Sequence, residues 1–254
     1  MSGAHGDGLL VAVDSPVHRL PAHCKLVALV AFVVGVVVTP VQQWWAFVVF
    51  AALIGAVVAV AHIPVAVVVR RSVVEVPFVV FALLLPFIAT GERTDVLGLE
   101  LSRAGLLGAA NLLAKATLGV VAAIVLAATT TPRDLLGGLD RMRLPRMLVA
   151  ILGFMIRYAG VVSGDLQHMR VARESRGFAG GRLRHLRAEA ATVGSLFVRS
   201  YERGERVHQA MLARGYTGRM PSLGADGATA AQWGSSAVLP LAAAAVATAA
   251  WVLA

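Results

Sequence analysis

Charge is scarce in this chain of 254 residues: Asp, Glu, Lys and Arg together make up 15%, against about 25% in an average soluble domain. Hydrophobic residues reach 58%, above the roughly 45–50% of soluble domains, and the mean hydropathy is +0.76. Too little polar surface remains to cover a water-facing globule of that apolar content. A water-soluble enzyme is excluded, and so is a disordered chain. Cysteine is almost absent: Cys24 stands alone, so neither an intrachain disulfide nor a cysteine cluster for zinc can form. Only two lysines occur, Lys25 and Lys115, and they follow Cys24 and Ala114. A P-loop needs Gly-Lys-Ser/Thr to hold nucleotide phosphates, so this chain cannot bind ATP through a Walker motif. Residues 1–14 hold Asp7 and Asp14 and lack the basic start of a secretory signal.

What charge there is has a place. Lys and Arg number 23 against 14 Asp and Glu, a net +9. Residues 148–232 hold 12 Arg against 6 acids, so +6 of that excess sits in one stretch. A pI near 11.1 is the usual footprint of nucleic-acid binding. Here the basic residues lie among apolar spans, where Lys and Arg mark the cytoplasmic side of a membrane. Nucleic acid is therefore not expected as a partner; the lipid bilayer is.

Four apolar runs come first: Leu26–Val38, Trp44–Ala61, Val73–Thr90 and Ala104–Ala128, with a fifth at Ala237–Ala254. Trp44 and Trp45 stand where interfacial aromatics belong. Runs of about 18 residues cross roughly 27 Å at 1.5 Å per residue. His18, Arg19, His23 and Lys25 precede the first run, Arg70 and Arg71 break the chain between the second and third, and residues 91–103 read as a loop of net charge −1. Charge bias and alternation put the N-terminus inside. The expected architecture is all-α: a polytopic integral membrane protein with about five transmembrane helices and two long cytoplasmic helices. The expected parts are a cytoplasmic N-terminal segment (1–25), a four-helix membrane region (26–128), a cytoplasmic region (129–232) and a C-terminal membrane helix (233–254).

The region 129–232 breaks the membrane pattern. Thr129-Thr130-Thr131-Pro132 starts a helix, with threonine caps and proline at the first helical position. Leu144-Pro145 ends it and begins a helix from Pro145 to Arg176, apolar in its first half and polar from Asp165 onward. After Gly177, Gly180 and Gly181 another helix is expected over Leu183–Arg214. Its Leu183, Leu186, Ala190, Val193, Phe197, Tyr201, Gly204, Val207 and Met211 form an amphipathic stripe.

Both helices end alike. Ala172-Arg173-Glu174-Ser175-Arg176-Gly177-Phe178 and Ala210-Met211-Leu212-Ala213-Arg214-Gly215-Tyr216 repeat Ala-x-x-small-Arg-Gly-aromatic 38 residues apart. Glycine after the last helical residue takes the left-handed conformation that closes a helix. The small residue leaves room for another surface, and arginine offers a rigid fork of donors for a carboxylate or a row of carbonyls. A single Arg-Gly end is an ordinary cap favoured by the helix dipole. Two copies at consecutive helix ends suggest two equivalent plugs for a partner with two equivalent sockets, such as a dimer of related subunits.

Other polar residues offer less. Lys115 lies mid-span, with Asn111 one turn earlier, and Glu75 is its candidate intramembrane partner. The seven histidines, from His5 to His208, lack ligand-like spacing, so no metal site is expected. No catalytic group is expected either. A lipid-head-group transferase would need clustered acids for a divalent metal, whereas Asp134 and Asp140 lie beside basic residues. That polytopic enzyme, and a membrane scaffold or receptor, are the readings from other classes.

The chain resembles the transmembrane (T) component of energy-coupling-factor (ECF) transporters, most closely the cobalt-type CbiQ group. The likeness runs from Ser15-Pro16-Val17-His18-Arg19-Leu20, through Thr130-Thr131-Pro132-Arg133-Asp134-Leu135-Leu136 and Arg157-Tyr158, to the paired Arg-Gly-aromatic ends. The resemblance implies a non-catalytic subunit that joins a membrane-embedded, metal-binding S component to two ABC-type ATPases, which bind the ATP and Mg. It further implies that the two cytoplasmic helices are coupling helices in the plasma membrane complex. Their ATPase contacts would be Arg176 and Arg214, with Ser175, Gly177, Ala213 and Gly215 completing the motifs. Ser175 stands where the family often has alanine. Nickel or a vitamin would leave such a chain much the same.

Overall fold

The computed structural model describes residues 10–11, 13–90, 93–96, 99–142, 144–177, 182–218 and 228–253. Helices dominate: α1 (Ala22–Val38), α2 (Trp44–Val60), α3 (Val65–Arg71) and, after a 3-10 turn (Ser72–Glu75), α4 (Val76–Ile88). A hairpin of β1 (Arg93–Val96) and β2 (Leu99–Ser102) leads into α5 (Arg103–Thr129), α6 (Pro132–Arg141), α7 (Arg146–Ser175), α8 (Arg182–Ala213) and α9 (Ala230–Val252). The chain divides into two compact units, one holding Asp7–Gly138 and Asp226–Ala254, the other Leu139–Ala225.

The first unit is built around α5, whose 27 residues extend about 40 Å. Lys25 donates to the Thr129 carbonyl (2.7 Å) and Lys115 to the Val37 carbonyl (2.7 Å), so α1 runs antiparallel to the second half of α5. Helix α9 runs parallel to α1: the His23 and Trp233 rings lie 5.5 Å apart at one end, and Trp251 Nε1 donates to the Val38 carbonyl at the other. Phe32, Val36, Phe47, Phe50, Ile54, Leu118, Ala122, Val125, Ala243 and Ala247 fill the space between α1, α2, α5 and α9. Alanines on α9 and Gly35 on α1 keep those backbones close, since a Cβ at Gly35 would meet Ala243 at 3.4 Å. Small residues at helix contacts are how spans pack without a hydrophobic driving force between them.

Helix α4 pairs with the first half of α5. Gly105 lies so close to α4 that a Cβ there would stand 2.7 Å from the Pro86 Cα. The outer surface of α4 is apolar, with Phe78, Phe81, Leu83, Phe87 and Ile88 exposed, as befits a lipid-facing helix. Among the described residues, four helical stretches are long and apolar enough to cross a membrane: Val65–Ile88, Arg103–Thr129, Arg146–Ser175 and Ala230–Val252. Two shorter apolar helices, α1 and α2, have 17 residues each. The protein is an all-α polytopic membrane protein.

Several local expectations shift. Arg70 and Arg71 lie in the last turn of α3, because Pro64 begins a helix before them. The presumed loop 91–103 contains the antiparallel β1–β2 pair, Arg93 opposite Ser102. The last helix starts at Ala230, seven residues before the apolar run. Its cause is a capping box: Thr229 accepts from the Gln232 amide, and the Gln232 side chain accepts from the Thr229 amide. At α6 the expected cap is formed by Thr131, whose hydroxyl accepts from the Asp134 amide (3.1 Å) and donates to the Asp134 carboxylate (2.7 Å), with Pro132 the first helical residue.

Candidate coupling site

The second unit is dominated by α7 and α8, of 30 and 32 residues, about 45 and 48 Å long. Pro145 opens α7, having no amide hydrogen to leave unpaired and a fixed φ. The two helices meet antiparallel: Arg203 Nη2 donates to Asp165 Oδ2 at 2.8 Å, and Ser195 faces Met169. The half-buried row on α8 is Ala188, Thr192, Leu196, Ser200, Arg203, Val207 and Met211. The expected stripe only partly coincides with it. Leu186, Val193, Phe197 and Tyr201 are exposed, Phe197 to 71%; the Leu183 side chain lies outside the described residues. An apolar row left bare beside a helix seam marks a surface made for another body.

The two helix ends have the same backbone form. At the first, the Arg176 amide donates to the Arg173 carbonyl (3.2 Å) and the Gly177 amide to Glu174 (3.0 Å), with Gly177 at φ +67°. At the second, the Arg214 amide donates to Met211 and the Gly215 amide to Leu212, both at 3.0 Å, with Gly215 at φ +81°. The Tyr216 amide returns to the Met211 carbonyl at 3.0 Å, the longer loop of a helix-closing motif. Phe178 lies outside the described residues. Positive φ is what only glycine adopts without strain, which accounts for both glycines. Ser175, Arg176, Ala213 and Arg214 are exposed, and among the described residues neither arginine has an ion-pair partner. The Ser175 hydroxyl donates back to the Ala172 carbonyl (3.1 Å), so it satisfies itself and leaves the arginine unobstructed.

The structure does not bring Glu75 and Lys115 together. Lys115 Nζ donates to the carbonyls of Val37 (2.7 Å) and Thr39 (3.0 Å), closing the end of α1. Buried Glu75 instead accepts from the Thr117 hydroxyl. The reason is helical geometry: at about 100° per residue, positions 115 and 117 of α5 face different neighbours. Asn111 Oδ1 is buried without a hydrogen-bond partner among the described residues. No group of three or more His, Cys, Asp or Glu able to hold a metal occurs among the described residues.

Two features were not read from the sequence. Lys25 ties the start of α1 to the end of α5 by donating to the Thr129 carbonyl and to the His18 carbonyl (3.1 Å). Around it the Ser15–Leu20 segment is ordered: Ser15 Oγ lies 2.7 Å from His18 Nδ1 and His18 Nε2 lies 3.1 Å from the Val11 carbonyl. A carbonyl only accepts, so Nε2 carries a proton and donates to Val11. Arg19 grips Asp14 through two donors, and that hydrogen bonding together with its charge holds the Asp14 carboxyl below the usual range. The second feature is a cavity of about 590 Å³ in the α7–α8 unit, reached by both Arg176 and Arg199. Arg199 belongs to no sequence motif.

Residues 14–223 match the CbiQ family, described as cobalt transport protein. The chain is 30% identical over 141 residues to cobalt transport protein CbiQ of Rhodobacter capsulatus, covering 54% of this chain and 58% of that protein. It is 27% identical to the energy-coupling factor transporter transmembrane protein EcfT of Bacillus selenitireducens over 83% of both chains. With EcfT of Lactococcus lactis it shares 24% identity over 83% of this chain and 84% of that one. With a family match that covers α1 to α8 and both Arg-Gly helix ends, the chain belongs to the CbiQ family of cobalt transport proteins.

Proposed function

We propose that this chain is the T subunit of an ECF-type ABC transporter, coupling ATP hydrolysis by two partner ATPases to cobalt uptake through a membrane-embedded, metal-binding S component. The observation that carries it is the repeated helix end: two exposed arginines, each held just before a left-handed glycine, on consecutive helices. ATP and Mg belong to the partner chains, since no Gly-Lys-Ser/Thr sequence is present. The N-terminus and the coupling helices lie on the cytoplasmic side of the plasma membrane, which the basic residues 148–232 favour.

The mechanism is mechanical. ATP binding draws the two ATPases together, and Arg176 and Arg214, each seated in one, move their helix ends relative to each other. The bare row Leu186, Val193, Phe197 and Tyr201 gives the S component an apolar surface, so the motion tilts it. Coupling of this kind needs two states with different contacts in each. Arg176→Ala and Arg214→Ala should each lower ATPase co-purification and cobalt uptake by about tenfold, the scale of losing one charged interface contact. A double variant that retains its ATPases and transports cobalt normally sinks the proposal.

A further inference from the structure

The two helix ends share a backbone form, and the first of them also borders a cavity. Arg176 opens onto the α7–α8 cavity, where Asp165, His168, Arg173 and Arg199 also contribute to the lining. Its volume of about 590 Å³ lies within the roughly 300–1,000 Å³ of ligand-sized clefts. Leaving Arg173 aside, Arg176 and Arg199 line it against one carboxylate, and that carboxylate, Asp165, is already held by Arg203 at 2.8 Å. The free charge of the cavity is therefore positive. Arg176 and Arg199 have no ion-pair partner among the described residues, and Arg203 Nη1 is buried without an acceptor beside Asp165. Arg176 and Arg199 therefore have donors to spare.

We propose that this cavity receives an acidic side chain of the partner ATPase, with Arg199 on α8 and Arg176 on α7 gripping it from two sides. The inference rests on the coupling role proposed above and extends the contact at this end: Arg176 meets the ATPase through the same carboxylate that Arg199 holds from the α8 side. A carboxylate fits because its two oxygens offer about four acceptor sites, enough for guanidinium donors from two helices. A partner that approaches the end of α7 to meet Arg176 is already at the cavity mouth. An anionic lipid headgroup shares the charge, and the test below separates it from a carboxylate.

The test uses the complete complex, co-expressed and reconstituted in nanodiscs, with Arg199→Glu, Arg199→Lys and Arg187→Glu. Arg187 is exposed on the same helix and does not line the cavity. Arg199→Glu should weaken ATPase association by about tenfold or more, as expected for reversing a charge in a paired contact. Arg199→Lys should retain most of it, and Arg187→Glu should match the unmodified chain. Equal losses from Arg199→Glu and Arg187→Glu would reduce the effect to net charge and overturn the inference. So would a loss seen in phosphatidylglycerol nanodiscs and absent in phosphatidylcholine ones, which would make the occupant a lipid. An inert Arg199→Glu beside damaging Arg176→Ala and Arg214→Ala overturns the cavity contact while leaving the coupling role standing; inert variants at all three positions overturn both.

Discussion

Adding one methyl group should have opposite effects at two glycines of the same helix, three residues apart. A Cβ at Gly105 would lie 2.7 Å from the Pro86 Cα and 2.8 Å from the Leu85 carbonyl oxygen, both backbone atoms of α4. Neither can rotate away, so Gly105→Ala must push α4 and α5 apart, an overpacking that costs about 1–3 kcal/mol. The gain in helix propensity, at most about 1 kcal/mol for Gly to Ala in a helix interior, is smaller here, since Gly105 is the third residue of α5. Its amide also donates to the Ser102 hydroxyl that caps the helix, and displacement would loosen that cap. The expected net loss is about 1–2 kcal/mol once the two effects are set against each other. At Gly108 nothing lies within 4 Å of the added Cβ, so Gly108→Ala should be neutral or stabilising by up to about 1 kcal/mol. Thermal unfolding of the purified protein in detergent, followed by the fluorescence of its four tryptophans, gives the comparison. A Gly105→Ala variant as stable as Gly108→Ala would refute the close approach of α4 to α5.

Two further predictions concern polar groups in the apolar unit. Glu75→Gln and Lys115→Met should show no mutual coupling in a double-mutant stability cycle, whereas Glu75→Gln and Thr117→Val should couple by about 0.5–2 kcal/mol; the reverse pattern would restore the Glu75–Lys115 pair. Lys25→Met removes donors to His18 and Thr129, each worth about 1.5–3 kcal/mol for a charged group. It should expose the Arg19–Leu20 bond to trypsin several-fold faster than in the unmodified chain, and an unchanged cleavage rate would count against the tie.

How much was legible in the sequence depended on the range of the interaction involved. The helix class follows from composition, because a backbone in lipid must satisfy its own hydrogen bonds. The ends of α7 and α8 follow from Pro145 and from glycines that local sterics place at positive φ. The form of the two Arg-Gly helix ends was legible for the same reason: each motif is a short run whose spacing is set within one turn. Thr229 and Gln232 carried an equally local signal, a T-x-x-Q capping box that would have begun α9 at Ala230.

Tertiary structure decided the partners. Lys115 and Glu75 are both costly charges in an apolar run, and sequence offers no better match than each other. Only the packing of α1 and of the 3-10 turn against α5 assigns Lys115 to the Val37 and Thr39 carbonyls and Glu75 to Thr117. Arg199 is one of 12 arginines between residues 148 and 232, and nothing local distinguishes it. What sets it apart is position: antiparallel pairing through Asp165 and Arg203 brings it to the cavity that Arg176 also lines. Sequence sets what a residue does to its own backbone, since those forces act over a few bonds. Which distant group it meets depends on how two helices approach, and that is fixed by the packing of both surfaces together.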